Sequence, residues 1–196
     1  RLKSAVCNSG TLSMKAAFYD RNGAAEDVLQ VGDLPKPAPT TGEVLVRLHA
    51  SGVNPSDVKS RAGLRAKMAS PRVVPQSDGA GVIEAVGEGV DPGRVGERVW
   101  IWNGQWQRPM GTAAEYIAVP NIQAPHLPDN TPFEAGACLG IPAMTAHRCV
   151  FADGPVAGQK ILVTGGAGAV GHYAIQLARW GGAKVIVTIS GADKAA

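Results

Sequence analysis

Residues 166–171 read Gly166-Ala167-Gly168-Ala169-Val170-Gly171, a G-x-G-x-x-G spacing. That spacing suits a bound diphosphate. One glycine permits a tight turn, a second lets the backbone approach the pyrophosphate, and a third lets a helix pack closely on a strand. A helix starting there adds unpaired N–H groups and partial positive charge. Further on, Ser190-Gly191 and Lys194 stand where a site selective for NAD usually carries Asp or Glu on the ribose hydroxyls. With no carboxylate at that strand end, a hydroxyl and a cation are available to a 2′-phosphate. NADP(H) is therefore expected over NAD(H); the alternative is that Lys194 is an ordinary solvated lysine.

The flanks of the glycines decide whether they bind anything. Ile161-Leu162-Val163 is a short apolar run, as in a strand buried on both faces. Val170, Ala174, Leu177 and Ala178 follow at i, i+4, i+7, i+8, one face of a helix. Gly181-Gly182 ends that helix, and Val185-Ile186-Val187-Thr188-Ile189 predicts the next parallel strand. Strand, glycine turn, helix and strand in this order predict a dinucleotide site rather than a glycine-rich connection that binds nothing.

The chain has 196 residues, 45% hydrophobic and 18% charged, with a net charge of +3. These values describe a folded protein rather than a disordered one. No basic run points to nucleic acid, and no apolar stretch reaches the ~20 residues that span a membrane. Cys7, Cys138 and Cys149 are scattered and odd in number, which suggests neither a disulfide framework nor a paired-cysteine metal site. A reducing cytoplasm is the expected compartment.

Residues 1–13 look foreign to the fold and lack the apolar core of a signal peptide. Met14 reads as a true start, so the preceding segment is expected to be a leader or a non-native remnant. A basic, acid-free transit peptide is the alternative. From residue 14 to about 131 the sequence is β-rich. Strands are predicted at 16–19, 28–31, 43–50, 79–89, 97–102 and 113–119, with Pro35-Lys36-Pro37-Ala38-Pro39 extended between. Along 43–50, Val44, Val46 and Leu48 share one face, and Leu45, Arg47 and His49 the other. His49 is expected to sit on a strand face rather than in a catalytic role. A short helix should follow Asn54-Pro55, capped by Ser56 or Asp57. The dense glycines of 79–89 predict a strand that bends or passes close to something. Residues 132–152 predict two helical pieces broken at Gly140-Ile141-Pro142, and residues 153–196 carry the nucleotide-binding unit.

Several of these stretches together resemble a known family. Residues 52–63, Ser77-Asp78-Gly79-Ala80-Gly81-Val82-Ile83-Glu84-Ala85-Val86-Gly87, Gly96-Glu97-Arg98-Val99, Gly111-Thr112-Ala113-Ala114-Glu115-Tyr116 and Ile141-Pro142-Ala143-Met144-Thr145-Ala146 are similar to the medium-chain dehydrogenase/reductase superfamily. The zinc-free, ζ-crystallin-like NADPH:quinone oxidoreductase branch resembles the chain best. The resemblance runs from Met14 to the end. It implies a mixed β and α/β fold, with a GroES-like β-barrel domain at 14–131, connecting helices at 132–152 and the first βαβ portion of a Rossmann domain at 153–196. The active site would lie in the cleft between them, the substrate would be a small quinone or enone, and a homodimer would form when complete.

The resemblance also implies site residues. Zinc-dependent relatives have Cys where Asn54 stands and Gly-His-Glu where Ser77-Asp78 precede Gly79. They also carry a four-cysteine lobe where this chain has Trp100-Ile101-Trp102-Asn103-Gly104-Gln105-Trp106. A catalytic zinc needs about three protein ligands, and Asp78 alone cannot make a site. No metal is therefore expected. Carbonyl polarisation must then come from hydrogen-bond donors, which suits conjugated acceptors whose π-system delocalises the charge left by hydride addition. Asn54 is the candidate amide donor, its alternative a plain turn before a helix. Ser56 matches a proton-relay hydroxyl. Lys59 stands where many quinone reductases have a cofactor-side Tyr, a departure that leaves stacking without a partner. Thr145 matches a nicotinamide-contacting threonine. The three Trp between residues 100 and 106 form either an aromatic wall for a flat substrate or a packed hydrophobic loop.

A complete dinucleotide domain needs about six strands, and the chain ends just past the second. A fragment or truncated product is therefore expected. Two function classes stand beside each other: an NADPH-dependent reductase active when complete, and a silent product that at most binds nucleotide or partner subunits through a sheet edge. An enoyl thioester or alkenal reductase of the same superfamily is a further alternative.

Overall fold

Strand β1 (Ser13–Phe18) pairs antiparallel with β2 (Gln30–Pro35), Met14 opposite Leu34 and Ala16 opposite Gly32. The structure is a computed structural model and describes residues 12–65 and 67–194. The predicted leader lies outside the described residues up to residue 11. Its last member, Ser13, instead opens β1, and the Leu12 carbonyl accepts the Lys36 N–H at 2.8 Å. The strand predicted at 28–31 is corrected. Helix α1 (Ala25–Val28) occupies its start, and β2 begins only at Gln30. Val28 closes that turn because its side chain buries against Tyr19 and Val73, and this contact outweighs its local β preference.

Four strands build the larger sheet, in the order β5-β4-β3-β6: β3 (Glu43–Gly52), β4 (Asp78–Val86), β5 (Arg98–Ile101) and β6 (Tyr116–Pro120), all antiparallel. Val44 and Val46 bury on one face of β3 with Ile83, Val99, Ile101, Ile117 and Val119, and Leu48 packs on the same cluster, as the alternation predicts. Each fully buried side chain of this kind contributes roughly 1.5–3 kcal/mol. Leu45, on the opposite face, is buried too, and the register shift beside it comes from the extra residue Glu84 on β4. His49 is exposed and stacks on Phe133 at 4.3 Å between centroids. The glycines of β4 do let strands approach: a Cβ on Gly81 would collide with the Arg47 carbonyl of β3. Among the described residues the strands do not close into a barrel. A single bridge from Ala16 to Ala114 links the small sheet to its surroundings, and another joins Val74 to Met110.

Helix α2 (Pro55–Arg61) follows β3. Later come α3 (Phe133–Gly136) and α4 (Gly140–Phe151). The helical break falls just before Gly140. Gly140-Ile141-Pro142 form the first turn of α4, where a proline displaces no helical hydrogen bond.

Strand β7 (Lys160–Thr164), helix α5 (Ala169–Trp180) and strand β8 (Lys184–Thr188) make a parallel βαβ unit, Leu162 opposite Ile186. One face is covered: Val163 and Ala174 bury with Ala146 of α4, and Ala178 is also buried. The expectation of a strand buried on both faces is corrected. Leu162 is 61% and Ile186 59% exposed, because no described element covers their face of this two-stranded sheet. Val170 is likewise exposed rather than part of the buried helix face.

Candidate functional site

The site begins where β3 runs into α2. Asn54 has extended backbone angles and Pro55 starts the helix, so Asn54 holds the N-cap position. The predicted caps Ser56 and Asp57 are corrected. Asp57 is the third helical residue, and its Oδ2 accepts the Asn54 N–H at 2.8 Å, the returning half of a capping box. The Asn54 side chain is turned inward and is 7% exposed. Its Nδ2 donates to Asp78 Oδ2 at 2.8 Å.

Asp78 opens β4 and is 1% exposed. Its Oδ2 also accepts the Ile141 N–H in the first turn of α4, at 2.8 Å. Its Oδ1 has no hydrogen-bond partner. Burial pushes the Asp78 carboxyl up to about 6, against the lowering effect of the Asn54 and Ile141 donors, and the nearby Asp57 adds to the rise. Burial raises Asp57 as well, opposed by the Asn54 N–H, the Ser56 hydroxyl and Arg65. The Thr112 hydroxyl donates to the Asp78 carbonyl at 2.7 Å and fixes the strand behind it.

The second half of the site is the glycine turn. Gly165 takes φ +68°, which favours glycine, so the left-handed residue lies one position ahead of the G-x-G-x-x-G. The Gly166 N–H donates to the Thr188 carbonyl at 3.0 Å, hooking the turn onto the end of β8. Gly166 lies against Val187, and Gly171 against the Gly165 carbonyl; a Cβ at either would collide. Gly168 is the N-cap of α5, in extended conformation and with no side chain to cap the helix. The first N–H groups of α5 are thus left for a ligand, the arrangement a pyrophosphate needs.

A cleft of about 770 Å³ lies between these parts. Asn54 and Pro55 line one side, Ile141 and Pro142 another, and the turn from Gly168 to Gly171 a third. Of the predicted residues, Asn54, Gly168, Ala169, Val170 and Gly171 meet there. The others do not line it. Gly166 is buried behind the turn, and Ala167 is exposed on it. Ser56 is half-buried, its hydroxyl only 3.5 Å from Asp57 Oδ1. Lys59 is exposed in the last turn of α2. The Thr145 hydroxyl donates to the Ile141 carbonyl of its own helix at 2.6 Å.

Ser190 and Lys194 are brought together just past β8, Lys194 Nζ donating to Ser190 Oγ at 2.9 Å. The expected absence of a carboxylate there needs correction, since the Asp193 side chain lies beside Gly191. The three tryptophans form no wall of the cleft. Trp100 packs with Ala80 and Leu127, Trp102 Nε1 donates to the Ile122 carbonyl at 3.1 Å, and Trp106 is 64% exposed.

Three site groups escape the sequence reading. Asp78 registers there only as an insufficient metal ligand. The Ile141 N–H is a backbone group that no residue type announces. Gly165 precedes the motif and was legible only as the first half of a Gly-Gly pair.

Residues 40–129 match the alcohol dehydrogenase GroES-like domain. The quinone oxidoreductase of Rattus norvegicus is 36% identical over 182 residues, 92% of this chain and 54% of its own length. The Homo sapiens quinone oxidoreductase is 35% identical over 181 residues, with the same coverage of 92% and 54%. A solved mycobacterial quinone oxidoreductase superposes with a TM-score of 0.79 at 34% identity, covering 93% of this chain and 55% of that one. A mycobacterial protein solved in complex with NADPH gives 0.77 at 33% identity, covering 93% and 54%. The chain spans about half the length of the curated relatives it matches.

Proposed function

The chain belongs to the medium-chain dehydrogenase/reductase superfamily, and we propose that the protein reduces quinones or other conjugated carbonyls with NADPH and without zinc. One observation carries this reading: a buried amide donor, Asn54, lines the same cleft as an uncapped, glycine-walled helix N-terminus. The relatives named quinone oxidoreductase and the neighbour solved with NADPH support it. A homodimer in the cytoplasm completes the proposal. Among the described residues, no helix is long and apolar enough to cross a membrane.

The residues fit the cofactor in kind. The first N–H groups of α5 at Ala169, Val170 and Gly171 would hold the pyrophosphate, brought close by the turn that Gly166, Ala167 and Gly168 form. Ser190 and Lys194 would hold the 2′-phosphate, and Thr145 and Lys59 are assigned to the nicotinamide side. When bound, NADPH supplies the hydride. Negative charge then grows on the substrate carbonyl oxygen, and a fixed donor near that oxygen lowers the barrier. Asn54 has one Nδ2 hydrogen committed to Asp78, which leaves the other for this task. Ser56 is assigned the proton that an enone carbon needs after hydride addition.

The zinc-free part of the proposal rests on donor chemistry. Asn54 presents a neutral amide, and Asp78 Oδ2 already accepts two N–H groups. Among the described residues no group of three or more His, Cys, Asp or Glu is placed to hold a metal ion.

The test is loss of reduced-nicotinamide absorbance on mixing the protein with NADPH and a series of quinones and enones. Turnover with at least one conjugated acceptor, and none with saturated aldehydes, is the expected result. No turnover with any conjugated acceptor overturns the proposal.

A further inference from the structure

We propose that Asp78 is a positioning residue: its carboxylate fixes which way the Asn54 carboxamide faces and ties that amide to the first turn of α4. The inference rests on the reaction proposed above and adds to it a residue that does not itself line the cleft.

Three elements converge on one carboxylate. Asp78 opens β4, Asn54 caps α2, and Ile141 lies in the first turn of α4; both donors meet Oδ2 at 2.8 Å. An ionised carboxylate can only accept, so it selects the Nδ2 edge of the amide and turns Oδ1 away. Without that partner the amide would be oriented only by the capping box at its other edge, and a donor facing substrate in one orientation would be an acceptor in the other. The Ile141 bond adds distance control. Ile141 and Pro142 line the cleft beside Asn54, so one oxygen sets the offset between the amide and the adjoining helix turn.

Stability alone does not account for this arrangement. Asp78 is nearly fully buried, and its Oδ1 is unpartnered, which costs free energy. A Cβ on Gly140 would collide with that same oxygen, so the chain also keeps a glycine in the first turn of a helix, a destabilising choice, to admit it. A buried carboxylate with an unpartnered oxygen that meets the cleft through one amide is the pattern of a functional group.

The experiment compares wild type with Asp78→Ala, Asp78→Asn, Asn54→Ala and the double variant Asn54→Ala/Asp78→Ala. Asp78→Ala is expected to lower kcat toward the value of Asn54→Ala, a loss on the order of 10²-fold, while the KM for NADPH moves little. The double variant should be no slower than Asn54→Ala, because Asp78 acts through Asn54. Asp78→Asn keeps an oxygen able to accept both N–H groups and should recover most of kcat. Losses that multiply in the double variant, or a wild-type kcat in Asp78→Ala, overturn the proposal.

A second readout needs no turnover and so separates this inference from the proposed reaction. The Asn54 Nδ2 proton donated to Asp78, followed by NMR, should exchange slowly with water in wild type and in Asp78→Asn, and fast in Asp78→Ala. Free exchange in wild type overturns the positioning role even if quinone reduction is found. Should Asp78→Ala fail to fold, the wild-type measurement decides.

Discussion

Lys194 Nζ donates to Ser190 Oγ at 2.9 Å, just beyond the strand whose Thr188 carbonyl receives the glycine turn. A hydroxyl and an ammonium thus sit paired beside the expected ribose position, with the Asp193 carboxylate close by. The cation and hydroxyl are expected to win, giving a higher kcat/KM with NADPH than with NADH. Ser190→Asp should reverse that order by placing like charge against the 2′-phosphate. Asp193→Asn should widen the preference for NADPH. Steady-state kinetics with both cofactors check this, and a wild-type ratio favouring NADH contradicts the assignment.

The proposed metal independence rests on the neutral Asn54 amide and on Asp78 Oδ2, which already accepts two N–H groups. Activity should survive prolonged dialysis against a chelator, and elemental analysis of the purified protein should find zinc well below one equivalent. Stoichiometric zinc, released together with activity, would show that the donor reading is wrong.

Removing the amide at Asn54 should affect the chemical step more than binding. Asn54→Ala is expected to lower kcat by ~10²–10³, with a smaller change in KM, because the bond to the carbonyl oxygen strengthens only as charge develops. Ser56→Ala should matter less with quinones, which water can protonate after release, than with enones, where a proton must reach carbon. Near-normal kcat in Asn54→Ala would place the donor elsewhere.

Asp78 should also leave a mark on stability. Its carboxyl is raised from 3.8 to about 6 in the folded protein, so between these values the native state binds more protons than the unfolded state. Stability from this group therefore falls as pH rises through that window, by on the order of 3 kcal/mol at pH 7. Asp57, which faces Asp78 and is raised in the same direction, is present in both proteins compared and largely cancels. Asp78→Asn should gain more stability relative to wild type at pH 7 than at pH 4, measured by chemical denaturation. An equal difference at both pH values would mean that Asp78 is not raised.

The βαβ unit was legible in the sequence because its signals are local. Ile161-Leu162-Val163, the glycine spacing, the recurrence of Ala174 and Ala178, and Val185-Ile186-Val187 each report backbone geometry or a buried face within a few residues. The alternation at Val44 and Val46 worked for the same reason, and the resemblance then placed Asn54 at the cleft wall. What only the tertiary structure decided are contacts between distant segments. Asn54 and Asp78 are 24 positions apart, and Asp78 and Ile141 are 63 apart. Their meeting depends on how β4 and α4 stack, which no local period encodes. Val28 ended in a helix because Tyr19 and Val73 offered it a buried seat, and Leu162 and Ile186 stayed exposed because no described element covers their face. Periodicity states which side of an element is apolar; packing decides what, if anything, meets it.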